Sequence, residues 1–168
     1  WVELTKDGVI VSTSWQDHGQ GADLGTLTHA HETLRHAGFR PEDIKLLMND
    51  TAFSPVSGPS GGSRQNVVTG NAIRVACEML INAMRKSKKL ESGEYRTYDE
   101  MIAENIPVHY NGKWAASMCT NCDPETAKGD PFSAYMYELF MPEVEVDLET
   151  GKAKVVKFTT VADIGTLT

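Results

Sequence analysis

The 168 residues hold only three cysteines, Cys77, Cys119 and Cys122, and an odd number of thiols in a chain of this length argues against a disulfide framework. A reducing compartment, the cytoplasm, is the expectation. Cys119-Thr-Asn-Cys122 has CxxC spacing, but a structural zinc site needs two further ligands and no second pair exists. The pair reads as two incidental thiols in a loop. Positive charge is also short: 16 Lys and Arg against 23 Asp and Glu leave a net charge of −7, which opposes a phosphate polyanion and gives no nucleic-acid face. No apolar run reaches the roughly 20 residues of a membrane span, so a soluble protein is expected. Trp1 to Ile10 also has no charged and apolar signal-peptide regions. His29 and His31 are two residues apart on a helical stretch, where side chains diverge. With His36 they are expected to decorate the helix surface.

What is present is a 40% hydrophobic chain, long enough for a single domain over residues 1–168. The chain starts without methionine inside a strand-like run and stops at "VADIGTLT", which reads as a fragment of a longer protein. "VELTKDGVIVSTSW" alternates about an Asp7-Gly8 turn and predicts a hairpin. Leu24, Leu27, Ala30, Leu34 and Ala37 recur at helical steps from Ala22 to Gly38, and Pro41-Glu42-Asp43 leads into a short strand from Ile44 to Met48. A long polar loop, 49–62, precedes a second helix with Ser63 as N-cap; Val68, Ala72, Ile73, Ala76, Met79, Leu80 and Ala83 form its stripe, with Cys77 in the core and a basic end at "MRKSKK". "SKKLESGEYRT" reads as a solvated linker, Tyr98 to Glu104 as a short helix, and "IPVHYNGKWAAS" as a hairpin about Asn111-Gly112. A long hairpin is expected to turn at Thr150-Gly151. The fold class is therefore α+β, two principal helices on a mixed or antiparallel sheet.

Two glycine-rich loops each follow a strand and open a helix: "QDHGQGADLGT" and "SGPSGGSRQ". A helix start carries unpaired N–H groups and partial positive charge, and bare backbone lets an anion approach. The alternative is that Gly19, Gly21, Gly61 and Gly62 only permit left-handed turns. If the preceding strands are neighbours, both loops lie at one sheet edge, where ligands bind. His18, Gln20, Asp23, Ser60, Ser63, Arg64 and Gln65 would then offer polar groups there. A rival reading is a nicotinamide or flavin dinucleotide-binding unit, with Gly19, Gly21, Gly25 and an acid at Asp50; its third glycine falls one place late. A non-catalytic interaction domain that uses the loops only as turns also stays open.

"QDHGQGADLGT" followed by "SGPSGGSRQNVVTGNAIRVACE" closely resembles the molybdenum-cofactor-binding region of the xanthine oxidase family, in the form found in bacterial aldehyde oxidoreductases. "YRTYDE", "FSAYMYELFMPEVEVDLETG" and "VADIG" look like later elements of the same domain, and His18 stands where the more widespread form has an acidic residue. The resemblance implies molybdopterin cytosine dinucleotide as cofactor. It places His18, Gly19, Gln20, Gly21, Ala22 and Asp23 in the first contacting segment, with Gln20 near the molybdenum. Ser60, Gly61, Gly62, Ser63, Arg64 and Gln65 fall in the second, at the dinucleotide portion. It further implies oxidation of an aldehyde to a carboxylic acid with oxygen from water, a glutamate base near the family's C-terminus, and 2Fe-2S clusters in an N-terminal region. The base-bearing GxGE-like segment and the cluster cysteines are not among these residues, so no catalytic residue and no metal ligand is assigned. The isolated chain is expected to be inactive, working only with the remainder of its longer chain, and a homodimer is among the expected assemblies.

Overall fold

The computed structural model describes residues 1–86 and 93–165. Lys6 and Asp7 turn β1 (Val2–Thr5) into β2 (Gly8–Thr13), antiparallel with Thr5 opposite Gly8, so the hairpin forms as the alternation predicts with its turn one residue earlier than Asp7-Gly8. Helix α1 (Ala22–Leu34) follows, and its last turn tightens to a 3-10 turn over Arg35–Ala37 that ends at left-handed Gly38. A second 3-10 turn, Pro41–Asp43, delivers β3 (Ile44–Met48), which lies parallel to β2. Helix α2 (Arg64–Met84), the short α3 (Tyr98–Ala103) and β4 (His109–Tyr110) complete the sheet, ordered β3-β2-β1-β4.

These elements make one compact unit, Trp1–Ala115; Ala116–Thr168 is a second. The core of the first sits between one sheet face and the two long helices. Val2, Leu4, Val9 and Val11 point from alternate strand positions toward Ala30 and Leu34 of α1 and Ile73, Ala76, Cys77 and Leu80 of α2. Thr97 starts α3 with a capping box, its hydroxyl accepting from the Glu100 N–H while the Glu100 carboxylate accepts from the Thr97 N–H.

Both helices keep most of their expected stripes, with Ala30, Leu34, Ile73, Ala76 and Leu80 buried and Leu27, Ala37 and Ala83 packed against the core. In α1 the buried positions are Ala22, Thr26, Ala30 and Leu34, a strict four-residue step, and Leu24 is 68% exposed. In α2, Gln65, Thr69, Ile73, Cys77 and Leu80 go inward while Met79 is 43% exposed. The helices pack on each other as well as on the sheet, which leaves Leu24 and Met79 facing outward while Leu34 and Leu80 stay buried. Ser63 precedes α2 in the left-handed region, φ 57°, and its side chain makes no capping bond.

The hairpin expected about Asn111-Gly112 does not form. β4 pairs instead with β1, Val2 opposite Tyr110, and the following segment runs along α2. Gly112 lies so near that a Cβ there would stand 2.0 Å from the Ala72 carbonyl oxygen. That glycine is needed for close approach rather than for a turn. The linker expectation and the helix's basic end fall partly on 87–92, outside the described residues; beside them, Tyr95 bridges to Arg85 and the Arg96 N–H donates to the Met84 carbonyl.

Burial pushes the Cys77 thiol up to about 12, so this side chain is un-ionised core packing. Cys119 is half-buried, Cys122 exposed, and both are free. Iodoacetamide at mild alkaline pH is therefore expected to modify Cys119 and Cys122 in the native protein and Cys77 only after denaturation, as read by peptide mass spectrometry. Among the described residues no group of His, Cys, Asp and Glu could hold a metal ion, and no helix is long and apolar enough to cross a membrane.

The second unit is a two-stranded ribbon, β5 (Tyr137–Val146) against β6 (Ala153–Asp163), turning through left-handed Gly151 as expected. Its register puts Phe140, Pro142, Val144, Phe158 and Val155 on one face, with the two phenylalanine rings 5.8 Å apart. The other face carries Leu139, Met141 and Val161 at one end and the Glu143–Lys157 pair, 3.0 Å apart, toward the other.

Candidate functional site

Because β2 and β3 are parallel neighbours, their C-terminal ends lie side by side. The loops that follow them, 14–21 and 49–63, therefore meet at one edge of the sheet. They share a hollow of about 580 Å3, with Trp15 in its lining, His18, Gln20 and Gly21 from the first loop and Ser60, Gly61, Gly62 and Ser63 from the second. A neighbouring hollow of about 530 Å3 is lined by Ser14, Gln16 and His18 opposite Ser57 to Ser60. The two stretches singled out by their glycines thus come together in space.

They are not built alike. In the first loop the Asp17 carboxylate accepts from the N–H of Gly19 at 2.7 Å, Gly21 at 3.3 Å and Asp23 at 3.4 Å. The Gly19 N–H, ahead of those of Asp23, Gly21 and Ala22, holds the Asp17 carboxyl below the usual carboxylate range. Gly21 is the N-cap of α1, with φ 87° and no side chain to cap the helix. The helix start that sequence reasoning offers to an anion is consequently filled from within. Ala22 is buried, so its methyl faces the core, and Asp23 is an exposed first-turn acid. Gln20 folds back, donating to the Gln16 carbonyl at 2.8 Å and accepting from the His18 N–H at 2.6 Å.

In the second loop, no hydrogen bond from the N–H of Gly61, Gly62 or Ser63 occurs among the described residues. This is the open donor set. Its shape is imposed from behind by Gln65, only 2% exposed, whose amide donates to the carbonyls of Ser57 (3.1 Å), Gly58 (2.6 Å) and Pro59 (3.2 Å) and whose oxygen accepts from the Thr69 hydroxyl. Arg64 is exposed and donates to the Ser57 carbonyl at 2.9 Å. Gln16 ties the loops together, its side-chain oxygen accepting from the Ser60 N–H at 3.2 Å and the Ser60 hydroxyl at 2.9 Å.

Gln16, Asp17 and Trp15 escaped sequence reasoning. Aspartate two residues before a glycine is a turn signal, and it was available for Asp17. His29 departs from its expected surface role: it lies between the helices, 2.9 Å from Asn66 Oδ1 and 6.2 Å from the Trp15 ring. His31 is half-buried and His36 exposed. Asp50 closes a local turn, accepting from the Ala52 N–H at 2.8 Å.

Residues 1–168 match the model of the family described as molybdopterin cofactor-binding domain. The chain belongs to this family. The family match bears out the resemblance carried by the two loops and disfavours the dinucleotide-binding rival, although β2, α1 and β3 do form a parallel strand-helix-strand unit. The chain is 53% identical over 168 residues to the aldehyde oxidoreductase of Megalodesulfovibrio gigas, covering 99% of this chain and 18% of that protein. Among solved structures it is similar to the aldehyde oxidoreductase from Desulfovibrio gigas, with TM-score 0.88 and 52% identity over 98% of this chain and 18% of that one. The aldehyde oxidoreductase from Desulfovibrio desulfuricans is similar too, with TM-score 0.85 and 56% identity over the same shares. The chain thus spans about a fifth of the length of these relatives, and its α+β architecture is theirs over that part.

Proposed function

We propose that this chain supplies part of the seat for molybdopterin cytosine dinucleotide in an aldehyde oxidoreductase that converts aldehydes to carboxylic acids with water as oxygen source. The observation that carries the reading is the shared hollow: unpaired N–H groups of Gly61, Gly62 and Ser63 on one wall, His18 and Gln20 on the other. The residues fit such a group. Bare amides and the adjacent Arg64 suit the phosphates of a dinucleotide, and side-chain amides and hydroxyls suit flat, hydrogen-bonding heterocycles. His18, Gly19, Gln20, Gly21, Ala22 and Asp23 would form one segment of the seat and Ser60 to Gln65 the other, with Ala22 and Gln65 acting through the loop backbones they anchor.

The cofactor supplies the redox centre for the oxidation. The chain's own contribution is to bind and orient it: Gln16 fixes the distance between the loops, and Gln65 holds the second one open toward the hollow. No residue here is proposed as catalytic base or metal ligand. The base and the 2Fe-2S clusters belong to other parts of the longer chain, in a cytoplasmic protein that assembles as a homodimer. The 168-residue piece alone is expected to turn over no aldehyde. Purified longer protein should contain stoichiometric molybdenum, release cytidine monophosphate on acid hydrolysis and reduce a dye in the presence of aldehyde. Aldehyde turnover by molybdenum-free protein, or release of a different nucleotide, would defeat the proposal.

A further inference from the structure

Resting on that cofactor reading, we propose that Asp17 is a positioning residue, a permanent internal anion on the start of α1 that sets the first loop so that His18 and Gln20 face the hollow. Four observations converge on it. The carboxylate, at 2.7 to 3.4 Å, takes the N–H groups of Gly19, Gly21 and Asp23, spread along the whole bend. Gly19 and Gly21 both have positive φ, 103° and 87°, the backbone that wraps these amides about one acceptor. The N-cap is a glycine, so α1 has no capping side chain of its own and Asp17 takes that place from four residues upstream. Finally, Asp17 is itself exposed, so these bonds rather than burial hold it there.

The second loop supplies the contrast. Ser63 before α2 makes no side-chain cap, and no internal carboxylate reaches the N–H groups of Gly61, Gly62 or Ser63 among the described residues. Two loops alike in sequence therefore play opposite parts: one is closed by its own anion and offers side chains, the other offers backbone. Removing the Asp17 charge should free the first loop's amides and let Gln20 leave its bonds to Gln16 and His18.

The test uses the longer protein that carries this chain, with Asp17→Ala and Asp17→Asn variants. Amide hydrogen exchange of the peptide spanning 17–24 should quicken about tenfold in Asp17→Ala, the scale of losing a charge-assisted bond. Asp17→Asn, which keeps one acceptor oxygen, should fall between. Excess sodium formate should restore slow exchange to Asp17→Ala but leave wild type unchanged, and molybdenum content should follow the same order. A mere packing role would not respond to formate. Unchanged exchange in Asp17→Ala, no recovery with formate, or wild-type molybdenum content despite a loosened loop would each overturn the positioning role. Wild-type protein without molybdenum would instead sink the cofactor reading, and the exchange arm would still judge the hold of Asp17 on the loop.

Discussion

Gly112→Ala is expected to destabilise the first unit by roughly 3 kcal/mol, a fall of about 10 °C in melting temperature. The added methyl would stand 2.0 Å from the Ala72 carbonyl oxygen, 2.7 Å from the Ala76 nitrogen and 2.9 Å from the Ala76 Cβ. Two of those are backbone atoms in the middle of α2, so no rotamer change relieves the overlap. Either the 111–114 segment lifts away or α2 shifts, and both options disturb the packing of Ala76 in the core. Gly61→Ala is the matched control, because a Cβ there meets nothing within 4 Å. Thermal or urea unfolding of the two variants should separate them clearly, and equal stability would mean that the segment does not lie against α2.

The second large effect is expected from Gln65→Leu, about 3 kcal/mol of stability together with loss of bound molybdenum from the longer protein. Leucine nearly matches the volume, but it can neither donate to the carbonyls of Ser57, Gly58 and Pro59 nor accept from Thr69. The carbonyls of Gly58 and Pro59 and the buried Thr69 hydroxyl would lose this partner at once, while the Ser57 carbonyl keeps Arg64. Gln65→Glu should be no better, since a carboxylate cannot donate to carbonyl oxygens. Thr69→Val removes only one bond and should cost about 1 kcal/mol. Urea midpoints and metal analysis on the series check the ordering; a Gln65→Leu protein that keeps both stability and molybdenum would remove Gln65 from its role behind the loop.

Much of this arrangement was legible beforehand because local chemistry agrees with the fold. The first hairpin, the Gly151 turn, the Pro41 entry into β3 and the short helix from Tyr98 are short-range signals that long-range packing did not override. The meeting of the two loops was also readable, since it needs only that the strands before them be neighbours. What could not be read was set by tertiary contact. The exposed Leu24 and Met79 reflect how α1 and α2 bed on each other, which a helical period does not encode. Gly112 looks like a turn residue and is a contact residue. Asp17 looks like one more polar loop residue, and only the wrapped backbone shows that it fills the seat an outside anion would have taken.

The ribbon of β5 and β6 has a practical consequence. Two strands alone offer one ladder of hydrogen bonds and leave both outer edges open, so such a piece gains little from its own pairing. With Phe140, Val144 and Phe158 bare along one side, residues 116–168 prepared in isolation should clump with rising concentration, which light scattering would register.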